Sequence, residues 1–226
     1  MSRGPIKKQS LDLLRRRGVP IRTILDVGVL HGTPELIKAF PDIPHILFEP
    51  VAEFADAIAS AYANITHTLV SAAVSERSGE TALATTSILS GLDISHSYMT
   101  DESIQHAKRV VPMVSLDEYL SRHPADAPYL LKIDIDGHEM NVLRGAVETL
   151  KQTSAVIIET PVDEIVERLA FLASAGFRRF DLTEPCYYDS SLWQCDAILI
   201  RRDIHDQHFS HIHRGFDEQK YEMFKG

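Results

Sequence analysis

The stretch TILDVGVLHG, residues 23–32, joins a buried strand to a glycine turn, and this combination decides the fold class. The letters TPE at 33–35 then open a helix, because Thr caps, Pro suits the first turn and Glu favours the helix dipole. Gly28 and Gly32 bracket the turn and let the backbone approach a ligand closely. A strand, a glycine turn and a helix in this order predict the first unit of a parallel sheet, which binds ligands beyond the carboxyl ends of its strands.

Strand and helix patterns alternate outward from this unit, which indicates a parallel sheet covered by helices. Further strands are predicted at 45–49 (HILFE), 66–74, 129–135 (YLLKIDI), 155–159 (AVIIE), 177–182 and 194–201, with 79–84 pairing beside the third. Helices are predicted at 10–17, 33–41, 51–62, 101–110, 116–122, 139–151 and 162–175. The last two strands leave no room for a helix between them, so we expect an antiparallel pair. The fold class is therefore α/β, a Rossmann-like, mostly parallel sheet with an antiparallel C-terminal hairpin and helices on both faces.

The 226 residues, 44 % hydrophobic and 24 % charged, are expected to form a single domain, 1–226. Within it we expect an N-terminal helical extension over 1–22 and a C-terminal tail over 204–226. The polar segment 85–112 has the length of a lid or substrate loop, although an ordinary surface excursion is the alternative. The tail histidines His205, His208, His211 and His213 allow a metal site, but a solvated segment is favoured.

The formal net charge of −9 repels a phosphate backbone and argues against nucleic acid as a partner. No apolar run approaches the roughly 20 residues that cross a bilayer, so no membrane span is expected. The two cysteines, Cys186 and Cys195, match neither a disulfide framework nor a zinc spacing, and predict a reduced, cytoplasmic protein. Oligomeric state stays open, with a homo-oligomer among the possibilities.

The glycine turn and an acidic residue beyond it predict a nucleoside cofactor. Glu49 ends the second strand 21 positions after Gly28, where a carboxylate can accept hydrogen bonds from both ribose hydroxyls. The turn has the spacing Gly28-x-x-x-Gly32 and lacks the G-x-G-x-x-G pattern that a dinucleotide needs. Asp26, at the mouth of the turn, opposes a pyrophosphate but suits the sulfonium of S-adenosylmethionine. The predicted cofactor-binding residues are Asp26, Gly28, His31, Gly32, Glu49, Ala72 and Ala73.

The segment KIDIDGHE, residues 132–139, is predicted to hold the reactive groups. Residues two apart share one face of a strand, and charged groups on a central strand need partners or a function. Asp134 and Glu159 end neighbouring strands, so they could hold a substrate hydroxyl or share a divalent cation. His138 is a candidate base, with a surface position as the alternative. The predicted catalytic residues are Asp134, His138 and Glu159; no metal ligand is assigned.

The predicted substrate residues combine acids with aromatic rings: Asp136, Glu139, Tyr187 and Tyr188. Asp136 and Glu139 have a structural alternative, because each could cap or polarise the start of the next helix. Tyr187, Tyr188 and Trp193 could stack on a sugar ring, or they could be core residues.

These motifs together resemble the FkbM-type methyltransferases. LKIDIDGHEMNVLRGA at 131–146 is similar to the strand-turn-helix signature of that family, and ILDVGVLHGTPEL, ILFEPV, SAAVSERSG and VSLDEYL resemble its other segments. The resemblance implies a class I methyltransferase fold, S-adenosylmethionine as donor, and O-methylation. It assigns Asp26, Gly28, Gly32 and Glu49 to the cofactor, and Asp134, Gly137 and Glu139 to the signature. Asp136 stands where the family often has Glu, and the loop at 29–31 departs from its usual Ala-Asn pattern.

The expected function is O-methylation of a hydroxyl on a sugar, a glycan or a small secondary metabolite. The expected partner is accordingly a small-molecule or carbohydrate acceptor. The alternatives are a nucleotide-dependent oxidoreductase and a non-catalytic module that binds S-adenosylmethionine.

Overall fold

The computed structural model describes residues 4–87, 94, 96–100 and 107–223, and its centre is a seven-stranded sheet. The strands of this sheet are β1 (Thr23–Val27), β2 (His45–Phe48), β3 (His67–Val70), β8 (Tyr129–Ile133), β9 (Thr153–Pro161), β10 (Phe177–Tyr188) and β11 (Ser191–Arg201). Their spatial order is β3-β2-β1-β8-β9-β11-β10. Neighbours pair in parallel from β3 to β9, whereas β11 runs antiparallel to both β9 and β10. The predicted fold class, with its antiparallel hairpin, is confirmed.

Helices cover both faces of this sheet. Successive strand residues point to opposite sides, and the central strands β1 and β8 are buried at every position, so both faces need a covering layer. The helices are α1 (Lys7–Arg16), α2 (Pro34–Ala39), α3 (Ala55–Ala61), α4 (Leu116–Arg122), α5 (Glu139–Arg144), α6 (Val147–Lys151), α7 (Ile165–Ser174) and α8 (Arg202–His208). On β1, Leu25 belongs to the core cluster that contains α4 to α7, whereas Ile24 belongs to the cluster that contains α1 and α2. Short 3₁₀ turns occur at Ala52–Phe54, Ile212–Arg214 and Glu218–Lys220.

A second, four-stranded sheet corrects the predicted third strand. The expected strand 66–74 ends at Val70 and resumes as β4 (Ala73–Val74), which pairs with β7 (Val110–Val114). β5 (Gly79–Thr86) lies between β7 and β6 (His96–Thr100), so it does not pair directly with β4. Of the predicted helix 101–110, residues 101–106 lie outside the described residues, and 107–109 are not helical. Part of the predicted lid segment 85–112 thus belongs to strands.

The expected helix 139–151 is broken into α5 and α6, because two features at the break favour separate helices. A Cβ on Gly145 would lie 2.2 Å from the carbonyl oxygen of Ser75, so only glycine allows the chain to pass there. Asp117 accepts hydrogen bonds from the backbone amides of Glu148 (3.0 Å) and Thr149 (2.7 Å), which caps the new helix. The N-terminus of α6 is therefore capped by Asp117, a residue of α4.

The two ends of the chain pack onto the same domain. Leu11 and Leu14 of α1 are fully buried against the sheet, so the predicted extension 1–22 contributes to the core. In the predicted tail 204–226, His205 is buried and lies 3.1 Å from the Arg178 guanidinium. Within the described ranges of the chain, no helix is long and apolar enough to cross a membrane.

Candidate active site

A cavity of about 810 Å³ opens at the carboxyl ends of β1, β2, β8 and β9. Volumes of this size are typical of small-molecule sites. Its lining includes Gly28, Leu30, Glu49, Ala72, Ala73, Tyr98, Met99, Asp134, Asp136, Glu159, Cys186, Tyr187, Tyr188, Trp193 and Gln194. Nine of the fourteen residues predicted for the site therefore face one cavity: Gly28, Glu49, Ala72, Ala73, Asp134, Asp136, Glu159, Tyr187 and Tyr188.

Gly28 allows the glycine turn to pack closely against the chain at the end of β8. Its φ is +81°, in the left-handed region, and a Cβ at this position would lie 1.9 Å from the Asp134 carbonyl oxygen. The Asp134 amide donates to the Val27 carbonyl at 3.1 Å, which continues the parallel pairing up to the cavity. Only glycine lets the turn pass so close to the strand end that bears Asp134.

Glu49 links the ends of β1 and β2. Its side chain is 4 % exposed and accepts hydrogen bonds from the amides of Leu30 (2.8 Å) and Val51 (2.9 Å). Burial raises the pKa of Glu49, and these backbone donors oppose that rise. Each carboxylate oxygen has a second lone pair, so the group can still accept hydrogen bonds from a ligand.

Asp26 lies beneath the cavity, which corrects the prediction that it faces a sulfonium. Its side chain is 0 % exposed; it lies 3.3 Å from the Lys132 ammonium and accepts from the Tyr62 hydroxyl at 3.2 Å. Burial would lower the pKa of Lys132, but the charges of Asp26 and Asp134 outweigh that effect and raise it. Lys132 also donates to the Gly28 carbonyl at 2.5 Å. Asp26 thus supports the turn through Lys132 and makes no contact with the cavity.

Two other predicted cofactor residues point elsewhere. His31 is exposed, and its ring centroid lies 4.6 Å from that of Phe54. Gly32 has φ +131°, and a Cβ there would lie 3.0 Å from the Ala61 Cβ. Gly32 therefore serves packing against α3, and neither residue is among those described as lining the cavity.

Glu159 lies two residues before the end of β9, in an acidic environment. Burial raises the pKa of Glu159 to about 8, and the charges of Asp134 and Glu139 add to the effect. Its Oε1 accepts a hydrogen bond from Gln194 Nε2 at 2.6 Å. A carboxyl group with a pKa near neutrality, held in a fixed orientation at a cavity wall, is suited to proton transfer.

A buried ion pair lies beside Glu159. Asp196 is the cross-strand partner of Glu159, and Lys7 of α1 reaches Asp196 at 2.8 Å. Both side chains are about nine-tenths buried, with exposures of 11 % and 9 %. Burial raises the pKa of Asp196, which Lys7 opposes, while the Asp196 charge raises the pKa of Lys7 against the effect of burial. Lys7 thereby neutralises a carboxylate that would otherwise repel the ionised form of Glu159.

The predicted contact of Glu139 with substrate is corrected by its burial. Glu139 is 0 % exposed; one oxygen accepts from the Gly137 amide (3.2 Å), and the other accepts from Arg168 (2.6 Å). Arg168 is equally buried and also binds Glu164 and the Glu159 carbonyl. The pair therefore holds the loop between β8 and α5 against α7 and the end of β9.

We expect removal of the Arg168 charge to destabilise the fold. Arg168→Met leaves the Glu139 carboxylate buried without its partner, which costs about 3–5 kcal/mol. Arg144→Met is the matched control, because Arg144 pairs with Glu167 at 3.7 Å between side chains 50 % and 62 % exposed. Exposed pairs are worth at most about 1 kcal/mol. Urea unfolding measures the free energy of unfolding of both variants. Equal losses of that free energy would contradict the structural role of Arg168.

His138 contacts the second sheet and does not line the cavity. Its Nε2 lies 3.3 Å from the Met99 carbonyl of β6, so His138 links the start of α5 to a strand that contributes Tyr98 and Met99 to the cavity lining. Asp136 does line the cavity, with φ +50°. The N-cap of α5 is His138, two positions later, so Asp136 does not hold the cap position suggested by the alternative reading.

Several of the side chains that line the cavity are exposed aromatic rings. Tyr187, Tyr188 and Trp193 lie on the β10–β11 hairpin and are 63 %, 79 % and 52 % exposed. Tyr98 of β6, 41 % exposed, lines the same cavity. These exposures show that the rings do not belong to the hydrophobic core, so the alternative that they are core residues is wrong.

Sequence reasoning missed Lys7, Tyr98, Gln194 and Asp196. Gln194 and Asp196 alternate along β11 on the face that holds Glu159, and that alternation is a signal the sequence contains. No local pattern connects Lys7 to Asp196 across the length of the chain. In the part of the chain that the structure describes, no group of three or more His, Cys, Asp or Glu could hold a metal ion.

Comparison with known proteins agrees with this geometry. The METTL16 methyltransferase domain matches with a TM-score of 0.51 at 10 % identity, over 85 % of this chain and 64 % of that chain. An rRNA methylase from Streptococcus thermophilus matches with a TM-score of 0.50 at 12 % identity, over 89 % and 98 %. Identities this low show the fold alone, and no curated protein matches the sequence.

The family comparison is decisive, because it covers more than half of the chain. The model of the FkbM methyltransferase domain matches residues 26–179, from the end of β1 into β10. This match decides against a nucleotide-dependent oxidoreductase. The chain belongs to the FkbM methyltransferase family and is an S-adenosylmethionine-dependent methyltransferase.

Proposed function

We propose that this enzyme methylates a hydroxyl group of a small molecule or sugar, with Glu159 as the proton acceptor. The observation that carries the proposal is the position of Glu159 in the cavity wall, oriented by Gln194 at 2.6 Å and with a pKa raised to about 8. A base whose pKa lies near the working pH is best suited to remove a proton during the reaction.

The cavity fits S-adenosylmethionine. Gly28 leaves no room for a side chain where the turn meets the strand end, and Glu49 beside it can accept hydrogen bonds from ribose hydroxyls. Ala72 and Ala73, 4 % and 6 % exposed, line the same cavity with small side chains that suit a flat adenine ring. When bound, the cofactor supplies a methyl group already activated by a positively charged sulfur.

Asp134 and Glu159 are assigned different roles. Asp134 Oδ2 lies 3.3 Å from the buried Lys132 ammonium, which orients the Asp134 side chain to accept a hydrogen bond from the acceptor hydroxyl. Among the described residues, the side-chain hydrogen-bond donor to Glu159 is the neutral Gln194, and we assign Glu159 to take up the proton. His138 acts through β6 as a positioning residue. The rest of the rate enhancement comes from orientation of the reactants and exclusion of water.

A small acceptor is favoured over nucleic acid by charge. The protein has a formal net charge of −9, and the cavity wall contains Glu49, Asp134, Asp136 and Glu159. A phosphate backbone would be repelled from such an opening. The exposed rings of Tyr187 and Tyr188 support a sugar or another flat, partly apolar acceptor.

The test is transfer of a labelled methyl group from S-adenosylmethionine to a panel of acceptors: monosaccharides, oligosaccharides, small hydroxylated metabolites, and RNA. We expect label on a hydroxyl oxygen of a small acceptor, located by mass spectrometry, and none on RNA. Label confined to RNA or to nitrogen would contradict the proposal. A protein that binds S-adenosylmethionine and transfers nothing to any acceptor would favour a non-catalytic module.

Lys7 supplies a further prediction about the base. Lys7→Met leaves Asp196 unpaired beside Glu159, so the rise of kcat/KM with pH should move to higher pH. Adding Asp196→Asn removes the unpaired charge and should move it back. Lys8→Met is the matched control, because Lys8 is 52 % exposed and pairs with Asp12 in its own helix. Identical pH profiles for Lys7→Met and Lys8→Met would contradict the coupling.

A further inference from the structure

The hydroxyl group of Tyr62 connects the two ends of the glycine turn. Tyr62 follows α3 directly, and its side chain is 0 % exposed. The hydroxyl donates to Asp26 Oδ2 at 3.2 Å and accepts a hydrogen bond from the Thr33 amide at 3.4 Å. Asp26 precedes the turn and Thr33 follows it, so a single oxygen atom bridges the residues on either side.

The ring that bears this hydroxyl is held by two neighbouring strands. His45 of β2 lies edge-on to the Tyr62 ring, and His67 of β3 lies tilted against it, each with ring centroids 5.5 Å apart. Burial and the charge of Asp26 raise the pKa of Tyr62, so the phenol keeps its proton. The phenol is therefore the donor to Asp26, and its oxygen lone pairs remain for the Thr33 amide.

The contact continues from Asp26 to the start of the turn. Asp26 Oδ1 lies 3.3 Å from the Lys132 ammonium, which in turn donates to the Gly28 carbonyl at 2.5 Å. The three buried side chains of Tyr62, Asp26 and Lys132 thus connect the residue after the turn to its first glycine. None of the three is among the residues described as lining the cavity. They can act on a ligand there only through the backbone of the turn.

The middle of the turn has an attachment of its own. Glu49 accepts a hydrogen bond from the Leu30 amide at 2.8 Å, and this contact does not involve Tyr62. Without the Tyr62 hydroxyl, the turn should therefore stay in place at its centre and loosen at its ends. Gly28, at one of those ends, lines the cavity, so a ligand seated on the turn would meet a less ordered surface.

We propose that Tyr62 is a positioning residue for the cofactor, whose hydroxyl holds the ends of the glycine turn in the arrangement that binds S-adenosylmethionine. This inference rests on the placement of the cofactor in the proposed function. The described hydrogen bonds and ring contacts of Tyr62 do not include Asp134 or Glu159. Its effect therefore falls on cofactor affinity, and the transfer step proceeds at its usual rate once the cofactor is bound.

Tyr62→Phe tests this role by deleting one oxygen atom. The variant leaves a buried carboxylate oxygen of Asp26 and the Thr33 amide without their common partner. We expect S-adenosylhomocysteine to bind about tenfold more weakly in calorimetric titration. With an acceptor found by the labelled-methyl panel, KM for S-adenosylmethionine should rise by a similar factor while kcat stays unchanged.

Tyr129→Phe is the matched control. Tyr129 is 3 % exposed, and its hydroxyl donates to the Ala125 carbonyl at 3.0 Å, at the end of β8 away from the cavity. Urea unfolding should show similar losses in the free energy of unfolding for the two variants, whereas cofactor affinity should fall in Tyr62→Phe alone.

Unchanged affinity in Tyr62→Phe, equal weakening in both variants, or a fall in kcat at unchanged affinity would overturn the inference. Failure of Tyr62→Phe to fold would also contradict a role limited to the turn. The unaltered protein is titrated first. If it does not bind S-adenosylhomocysteine, the proposed function fails, so the two failures are distinguishable.

Discussion

Gly28→Ala is expected to lower methyl transfer on the order of a hundredfold, the loss that follows when a reacting group is displaced by about 1 Å. An added Cβ would lie 1.9 Å from the Asp134 carbonyl oxygen, and an alanine at φ +81° is itself strained. The turn or the strand end must therefore move, and both the cofactor and Asp134 depend on that join. Steady-state kinetics measure the loss of methyl transfer, and binding of S-adenosylhomocysteine measures the damage to the cofactor site.

Gly18→Ala separates backbone strain from the close approach. Gly18 has φ +71°, nearly that of Gly28, but nothing lies within 4 Å of a Cβ built there. The control should lower the free energy of unfolding by about 1–2 kcal/mol, the cost of a left-handed conformation for a residue with a Cβ, and leave kcat and KM unchanged. Equal losses of activity in both variants would contradict the prediction that the close contact between the turn and Asp134 is required for methyl transfer.

Glu159→Gln is expected to lower kcat about 10²- to 10⁴-fold, the contribution of a general base. Glutamine keeps the size of the side chain but cannot take up a proton. In the unaltered enzyme the rate should rise with pH through about 8, where Glu159 loses its proton, and the variant should lose this rise. Glu148→Gln, at a residue 66 % exposed on α6, should retain full activity and the same pH profile.

The same substitution should increase stability in alkaline solution. The pKa of Glu159 rises from 4.5 to about 8 in the folded protein, so folding favours the protonated form. The contribution of Glu159 to the free energy of unfolding is therefore fully present below pH 4.5, and it is lost as the pH rises through about 8. Glu159→Gln avoids this loss, so at pH 9 it should unfold at higher urea concentration than the unaltered protein. Lower activity without this stability gain would argue against a raised pKa.

The parallel part of the fold could be predicted because its signals are local. The stretch TILDVG combines an apolar run, a carboxylate and a glycine, and HILFE repeats the pattern one unit later. In a parallel sheet such strand ends share one edge, which brings Gly28, Glu49, Asp134 and Glu159 to one cavity. Sequence position alone was therefore enough to place these four.

The predictions that went wrong concern charged residues whose partners are distant in sequence. Asp26 and Glu139 look like ligand contacts until Lys132 and Arg168 are placed beside them in the buried interior. Burial, which sequence patterns report only as an average, decides between a ligand contact and an internal ion pair. The Lys7–Asp196 pair is a further buried ion pair of this kind, and it joins α1 to β11, which are far apart in sequence.

The second sheet and the broken helix depend on tertiary contacts. The apolar run 66–74 has the pattern of one strand, yet Ala73 and Val74 pair with β7 instead of extending β3. The helical pattern of 139–151 continues through Gly145, where the approach of Ser75 and the cap from Asp117 interrupt it. In both places a partner from elsewhere in the chain overrides a local preference.

The most direct test of the account is calorimetric titration of S-adenosylhomocysteine into the unaltered protein and into Glu49→Gln. We expect one site per chain, with binding weakened about tenfold in the variant, because a charged acceptor for the ribose hydroxyls is lost. Unchanged affinity in Glu49→Gln, or no binding by the unaltered protein, would contradict the placement of the cofactor on which the reaction depends.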